Sequence, residues 1–193
     1  MKRIAIFASG SGTNAQNIIE YFRNSRDVIV DSLWSNNENA YALIRAERLG
    51  VDTFTFGKEE LYHSIEVLEA LSERKIDMIV LAGFLWLVPH NLTEEFTIVN
   101  IHPALLPKYG GKGMYGKFVH EAVIRNKDKE SGITVHYVNE RYDAGNIIFQ
   151  AKCPVSQGET PDSLAEKVHK LEYEHFPRVI EEILLKEEPE TDY

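Results

Sequence analysis

Residues Lys2–Asn14 read KRIAIFASGSGTN, and this stretch decides the fold. Lys2–Ala8 is an apolar run that breaks off at Ser9-Gly10-Ser11-Gly12-Thr13-Asn14. Ala15, Ile18, Ile19 and Phe22 then recur at helical spacing. Strand, glycine loop and helix open a parallel sheet, and the next segments repeat the alternation. Val28–Trp34 reads as a strand and Ala40–Leu49 as a helix stopped by Gly50. Val51–Phe56 reads as a short strand and Glu59–Arg74 as one helix. Asp77–Ala82, DMIVLA, is continuously apolar, as a strand buried on both faces must be. The expectation is an α/β fold with a doubly wound, mostly parallel sheet and right-handed crossovers. In such a sheet ligands bind beyond the carboxyl ends of the strands, which places the glycine loop and the segment after Ala82 at one edge.

The second half is less regular. Thr97–Ile101 reads as a strand running into His102-Pro103, and Leu106–Gly116 as a loop rich in Gly, Lys and Tyr. Phe118–Ile124 reads as a helix. Ile133–Val138 and Ile147–Pro154 form a hairpin with a long loop, the antiparallel C-terminal portion of the sheet. Thr160 caps a final helix with Pro161 in its first position, and Pro177 is a site for a kink. Residues 1–185 are expected to form one domain, and 186–193 an acidic, disordered tail.

The composition narrows the partners. Thirty acidic residues against 21 basic ones give a formal charge of -9, with no Lys/Arg-rich run. That argues against a nucleic acid, which needs a basic surface to neutralise its phosphates. A small phosphorylated ligand remains compatible, because a few backbone N–H groups can hold one phosphate. No apolar stretch approaches the ~20 residues of a membrane span. Cys153 is the only cysteine, which suits a reducing cytoplasm.

Three places can carry chemistry. The turn Gly10-Ser11-Gly12-Thr13-Asn14 aims successive N–H groups, and the positive end of a helix dipole, at one point where a phosphate fits. It serves equally as a tight turn without a ligand. In Asn100-Ile101-His102-Pro103 the strand period of two puts Asn100 and His102 on one face. An imidazole can move a proton near neutral pH, and an amide can donate to a developing oxyanion. The alternative is a buried histidine satisfied by backbone. Asp143, in Arg141-Tyr142-Asp143-Ala144-Gly145-Asn146, can orient an imidazole, although Asp before a small residue and Gly is also ordinary turn chemistry. Glu172 lies on an amphipathic helix and reads as a solvated carboxylate. Trp86, in GFLWLVP, reads as core or pocket wall. The remaining histidines show no metal-ligand spacing and no HExxH is present, so no metal is expected.

Four stretches together resemble the phosphoribosylglycinamide formyltransferase family: ASGSGTN, VLAGFLWLVP, NIHPALLPKYGG, and YDAGNIIFQAKCPV followed by ETPDSLAEKVHKLEYEHFP. The resemblance runs from Ile4 to about Ile183. It implies a Rossmann-like formyltransferase fold and transfer of a formyl group from 10-formyltetrahydrofolate to the amine of phosphoribosylglycinamide, without a metal. It implies catalytic roles for Asn100, His102 and Asp143. The substrate phosphate would lie on Ser11, Gly12, Thr13 and Asn14, with Glu172 at the glycinamide amine. Leu85, Trp86, Leu87 and Val88 would belong to the folate pocket, with Lys58 approaching the folate. Gly111–Lys117, GKGMYGK, is longer than the common form of this loop, so folate contacts there do not transfer residue by residue. Methionyl-tRNA formyltransferase and formyltetrahydrofolate hydrolase share the Asn/His/Asp set, but each carries an additional domain. A homodimer is compatible with the sequence.

Overall fold

The structure is a computed structural model and describes residues 1–186. The expected acidic tail therefore lies, beyond Lys186, outside the described residues. The strands are β1 (Lys2–Phe7), β2 (Val28–Ser35), β3 (Asp52–Thr55), β4 (Met78–Leu81), β5 (Thr97–His102), β6 (Glu130–Tyr137) and β7 (Ile147–Pro154). They form one sheet in the order β3-β2-β1-β4-β5-β6-β7. Pairing is parallel from β3 through β5, and β6 and β7 add antiparallel. The chain reverses its winding between β1 and β4, so the gap beyond their carboxyl ends is the crevice that such a sheet offers to a ligand.

The helices are α1 (Thr13–Phe22), α2 (Tyr41–Arg48), α3 (Lys58–Tyr62), α4 (Glu66–Glu73), α5 (His90–Glu95), α6 (Lys117–Arg125) and α7 (Pro161–Leu185). They cover both faces of the sheet, and β1 shows why its sequence is apolar throughout. Ile4 and Ile6 join the core that holds Ile18 of α1 and Phe176 of α7. Ala5 and Phe7 join the opposite core, with Trp34, Phe56 and Leu71. All four residues of β4 are buried, as the DMIVLA run requires.

One expectation about helices needs correction, and one helix was missed. The stretch Glu59–Arg74 is not one helix but α3 and α4. Ser64 breaks it: the hydroxyl accepts the Glu66 N–H at 3.2 Å and donates to the Glu60 carbonyl at 3.0 Å. Such local side-chain bonds end one helix and start the next. The missed helix is α5, six residues with only Leu92 buried, too short to show a helical period.

α7 runs through Pro177 as one 25-residue helix. Proline has no N–H for the carbonyl four residues earlier, which leaves the Tyr173 carbonyl without its helical partner. Asn17 of α1 supplies the donor, Nδ2 to the Tyr173 carbonyl at 3.0 Å. Asn14 and Tyr21 extend this seam, bonding Glu172 at 2.8 Å and Glu181 at 2.7 Å. The spacing of 14, 17 and 21 puts all three on one face of α1. Asn17→Leu should therefore cost about 0.5–1.5 kcal/mol by removing the replacement donor. In Pro177→Ala, where the backbone supplies its own donor, the same change should cost less. Urea unfolding of the two single variants and the double variant measures this, and equal costs in both backgrounds would refute it.

Candidate active site

The exits of β1, β4 and β5 open into a cleft of about 760 Å³. At the β1 exit Gly12 precedes α1 with φ +74°, and a Cβ there would lie 2.5 Å from the Ala42 Cα. Only glycine fits this turn. The Gly10 carbonyl accepts the Ala42 N–H at 3.0 Å and the Ser11 carbonyl accepts Arg45 Nε at 2.9 Å. The loop is thus tied back to α2 through its carbonyls, and the N–H groups that begin α1 remain for a ligand. Ser11, Gly12, Thr13 and Asn14 all line the cleft. Ser9 joins this exit to that of β4: its hydroxyl donates to Asn36 at 2.6 Å and accepts the Leu85 N–H at 3.0 Å.

The β5 exit carries Asn100 and His102, which share a face as the strand period requires. Asp143 reaches them from the β6–β7 loop, where Gly145 allows close packing: a Cβ there would lie 1.7 Å from the Tyr137 carbonyl. Asp143 Oδ2 accepts the Gly111 N–H at 2.9 Å and lies 3.5 Å from His102 Nδ1. Its Oδ1 lies 3.5 Å from Asn100 Nδ2. The structure therefore brings Asn100, His102 and Asp143 together, and the turn reading of Asp143 is incomplete.

Backbone carbonyls set the tautomers. His102 Nε2 lies 2.7 Å from the Tyr109 carbonyl, which can only accept, so Nε2 carries a proton and Nδ1, facing Asp143, is the atom that gains or loses one. Burial drives the His102 pKa down, partly opposed by Asp143 and the Tyr109 carbonyl, so the ring rests neutral near pH 7. Burial pushes the Asp143 carboxyl up, but the imidazoles of His136 and His102, when protonated, and the Gly111 N–H outweigh it and hold the acid below its ordinary value.

His136, on β6 opposite Asn100, was not distinguished by its sequence. Its Nδ1 donates to the Tyr137 carbonyl at 2.8 Å, leaving Nε2 to accept Asn100 Nδ2 at 3.1 Å. The longer 3.6 Å approach of Nε2 to Asp143 is an electrostatic neighbour rather than a hydrogen bond. His136 thus fixes the Asn100 amide. The signal in the sequence was the cross-strand register, and that register exists only once the sheet is assembled.

Glu172 corrects the reading of a solvated carboxylate. It is 4% exposed, and its Oε2 accepts Asn14 Nδ2 and contacts His169 Nδ1, each at 2.8 Å. Its bond to His169 raises that imidazole's pKa. His120 of α6 also lines the cleft, buried, with Nδ1 lacking a partner. Burial lowers its pKa.

The proposed folate segment divides. Leu85 lines the cleft and is exposed, whereas Trp86, Leu87, Val88 and Lys58 are outside its lining. Trp86 stacks on Tyr62 with 6.2 Å between rings, and Lys58 Nζ sits 5.7 Å over the Trp86 ring. The Leu87 carbonyl accepts the Tyr62 hydroxyl at 2.8 Å, and Val88 is in the core. These four brace the wall that presents Leu85. The whole of Gly111–Lys117 lines the cleft opposite.

Residues 2–180 match the model of a family described as formyl transferase. Phosphoribosylglycinamide formyltransferase of Haemophilus influenzae is 35% identical over 93% of this chain and 86% of its own length. This chain belongs to the phosphoribosylglycinamide formyltransferase family. The chloroplastic relative from Arabidopsis thaliana is 37% identical, and this chain spans 66% of its length, just under two thirds. The crystal structure of glycinamide ribonucleotide transformylase 1 from Geobacillus kaustophilus, 38% identical, superposes with a TM-score of 0.85 over 95% of this chain and 99% of that one. The seven-stranded sheet with its antiparallel end is thus the fold of this family.

The cleft histidines should titrate with opposite effects on stability. His120 has a lowered folded pKa, so the unfolded chain binds more protons and stability falls as pH drops below 6.5. His169 has a raised folded pKa, so its contribution is full below 6.5 and lost as pH rises through the folded value. His120→Gln should flatten the acid side of a stability–pH curve and His169→Gln the alkaline side. Urea unfolding from pH 5 to 9 measures both slopes, and unchanged slopes would overturn the assignment.

Proposed function

We propose that this chain transfers the formyl group of 10-formyltetrahydrofolate to the amine of 5'-phosphoribosylglycinamide, a step of purine synthesis. The observation that carries the reading is the meeting of Asn100, His102 and Asp143 at the end of β5, in the same cleft as the N-terminus of α1. One end of the cleft is built for proton transfer and the other for an anion, which suits a phosphorylated amine accepting an acyl carbon.

The roles follow from the geometry. Asn100 has one amide hydrogen held by His136, and the other makes only the long 3.5 Å approach to Asp143. That second hydrogen is available to the charge developing on the formyl oxygen. His102, held by the Tyr109 carbonyl, takes the proton released by the attacking amine at Nδ1 and returns it to the leaving nitrogen. Asp143 stabilises the imidazolium formed in between. Ser11, Gly12, Thr13 and Asn14 hold the phosphate. Glu172 has both its bonds on Oε2, which leaves Oε1 to accept from the glycinamide amine. Leu85, Met114, Tyr115 and Tyr142 supply an apolar and aromatic wall of the kind a pterin ring requires. Trp86, Leu87, Val88 and Lys58 support that wall from behind. Hydrolysis of the formyl-folate would use the same three residues with water as the nucleophile. The anion-binding end has no purpose in that reaction, which favours transfer. The proposal treats residues 1–185 as one formyltransferase domain acting in the cytoplasm, and a homodimer is tested by sedimentation.

Purified protein given both substrates should release tetrahydrofolate and formylated product together, and neither without the amine. Release without the amine would replace the transferase reading with the hydrolase. Asn100→Ala should lower kcat by about 10²–10³ while leaving the circular dichroism spectrum intact. Near-normal turnover would remove Asn100 from the mechanism.

A further inference from the structure

Beside the proposed phosphate loop lies a titratable group to which that reading gives no role. His169, on α7, lines the cleft together with Gly12, Thr13 and Asn14. Its Nδ1 contacts Glu172 Oε2 at 2.8 Å, the same oxygen that accepts Asn14 Nδ2 at 2.8 Å. The ring is therefore two hydrogen bonds from the first turn of α1. With Nδ1 committed to Glu172, Nε2–H is the donor left over, and the side chain is 47% exposed.

From this geometry we infer that His169 is a binding residue for the phosphate of the substrate, and that its protonation gates productive binding of that substrate. The inference rests on the reading of the glycine loop as a phosphate site.

The physical case starts with Glu172. A carboxylate 4% exposed is costly unless a cation accompanies it, and His169 is its ion-pair partner among the described residues. The same carboxylate raises the imidazole's pKa, so the pair keeps His169 charged to higher pH than a free histidine. The N-terminus of α1 offers only about half a positive charge to the anion. A phosphate monoester is mostly dianionic at neutral pH, with a second pKa near ~6. A charged His169 adds a charge-assisted donor where the dipole alone is too weak.

Other groups around the cleft do not imitate this behaviour. From α1 the neighbour is Asn14, which carries no charge, and on α7 Tyr173 stacks on the ring. Lys112 and Lys117, from the loop and the start of α6, and Asp162, in the first turn of α7, are further charged groups of the lining, and none is an imidazole. His120 of α6 is held neutral by burial. His102 and Asp143 lie at the β5 end and act on turnover. The substrate's own ionisation works in the opposite direction, since its dianion forms as pH rises. Affinity should therefore be greatest between the phosphate's second pKa and that of His169, and should weaken above it.

The experiment measures KM for phosphoribosylglycinamide and kcat between pH 6 and 9 for the native protein, His169→Gln and His169→Lys. In the native protein KM should rise about tenfold across the alkaline limb, the size of one charge-assisted bond. His169→Gln should start with KM raised about tenfold and show no alkaline limb. His169→Lys should keep a low KM through pH 9, a rescue that a merely structural role would not produce. The loss should fall on KM rather than kcat. In parallel, NMR titration of the histidine rings with inorganic phosphate should move the His169 pKa upward. Product formed with the same KM–pH profile in all three proteins, or a His169 titration indifferent to phosphate, overturns the inference and leaves the transferase reading standing. No formylated product from the native protein overturns the transferase reading instead, and the phosphate titration then decides the role of His169 by itself.

Discussion

A carboxylate largely withdrawn from water needs polar partners, and the cleft is organised around that requirement at Asp143, whose side chain is 11% exposed. Its two oxygens face the Gly111 N–H, the His102 ring and the Asn100 amide, with His136 behind. The partners come from three parts of the chain: the 103–116 loop, β5, which supplies both Asn100 and His102, and β6. The long β6–β7 loop can place Asp143 only because Gly145 lies against the Tyr137 carbonyl. Holding one anion at the sheet edge therefore fixes the loop over the cleft, the face of β5 that is presented, and the antiparallel addition of β6.

Glu172 poses the same problem at the other end, and the α1–α7 seam answers it. Asn14 and His169 share its buried oxygen, while Asn17 satisfies the carbonyl that Pro177 leaves free. The bonds that dock the last helix onto the first thus begin inside the cleft and continue out of it. Docking of α7 and the position of Glu172 are coupled along this seam, because moving α7 displaces Glu172 from the glycine loop.

The two ends differ in the balance of burial against charge. At His102 burial outweighs the nearby Asp143 and favours the neutral ring. At His169 the direct bond to Glu172 outweighs burial and favours the cation. Distance and exposure decide between them: 3.5 Å to the carboxylate in a ring that is 4% exposed, against 2.8 Å in one that is 47% exposed.

The sequence by itself determined the strand order of events along the chain, because burial on both faces leaves the unmistakable run DMIVLA and the glycine break after Ala8. It also placed Asn100 beside His102, since the period of two is local. It did not reveal the split at Ser64, where one hydroxyl overrides an apolar period that continues past it. Nor did it reveal α5, which is shorter than the period needed to see it. Tertiary structure alone decided that Asp143 reaches Asn100 and His102, that His136 holds Asn100, and that Glu172 is buried between Asn14 and His169. Those facts depend on contacts between residues 36, 43 and 158 positions apart. Local patterns record which face of an element a side chain occupies, but the partner on the other side of that face exists only after the sheet has closed and α7 has docked.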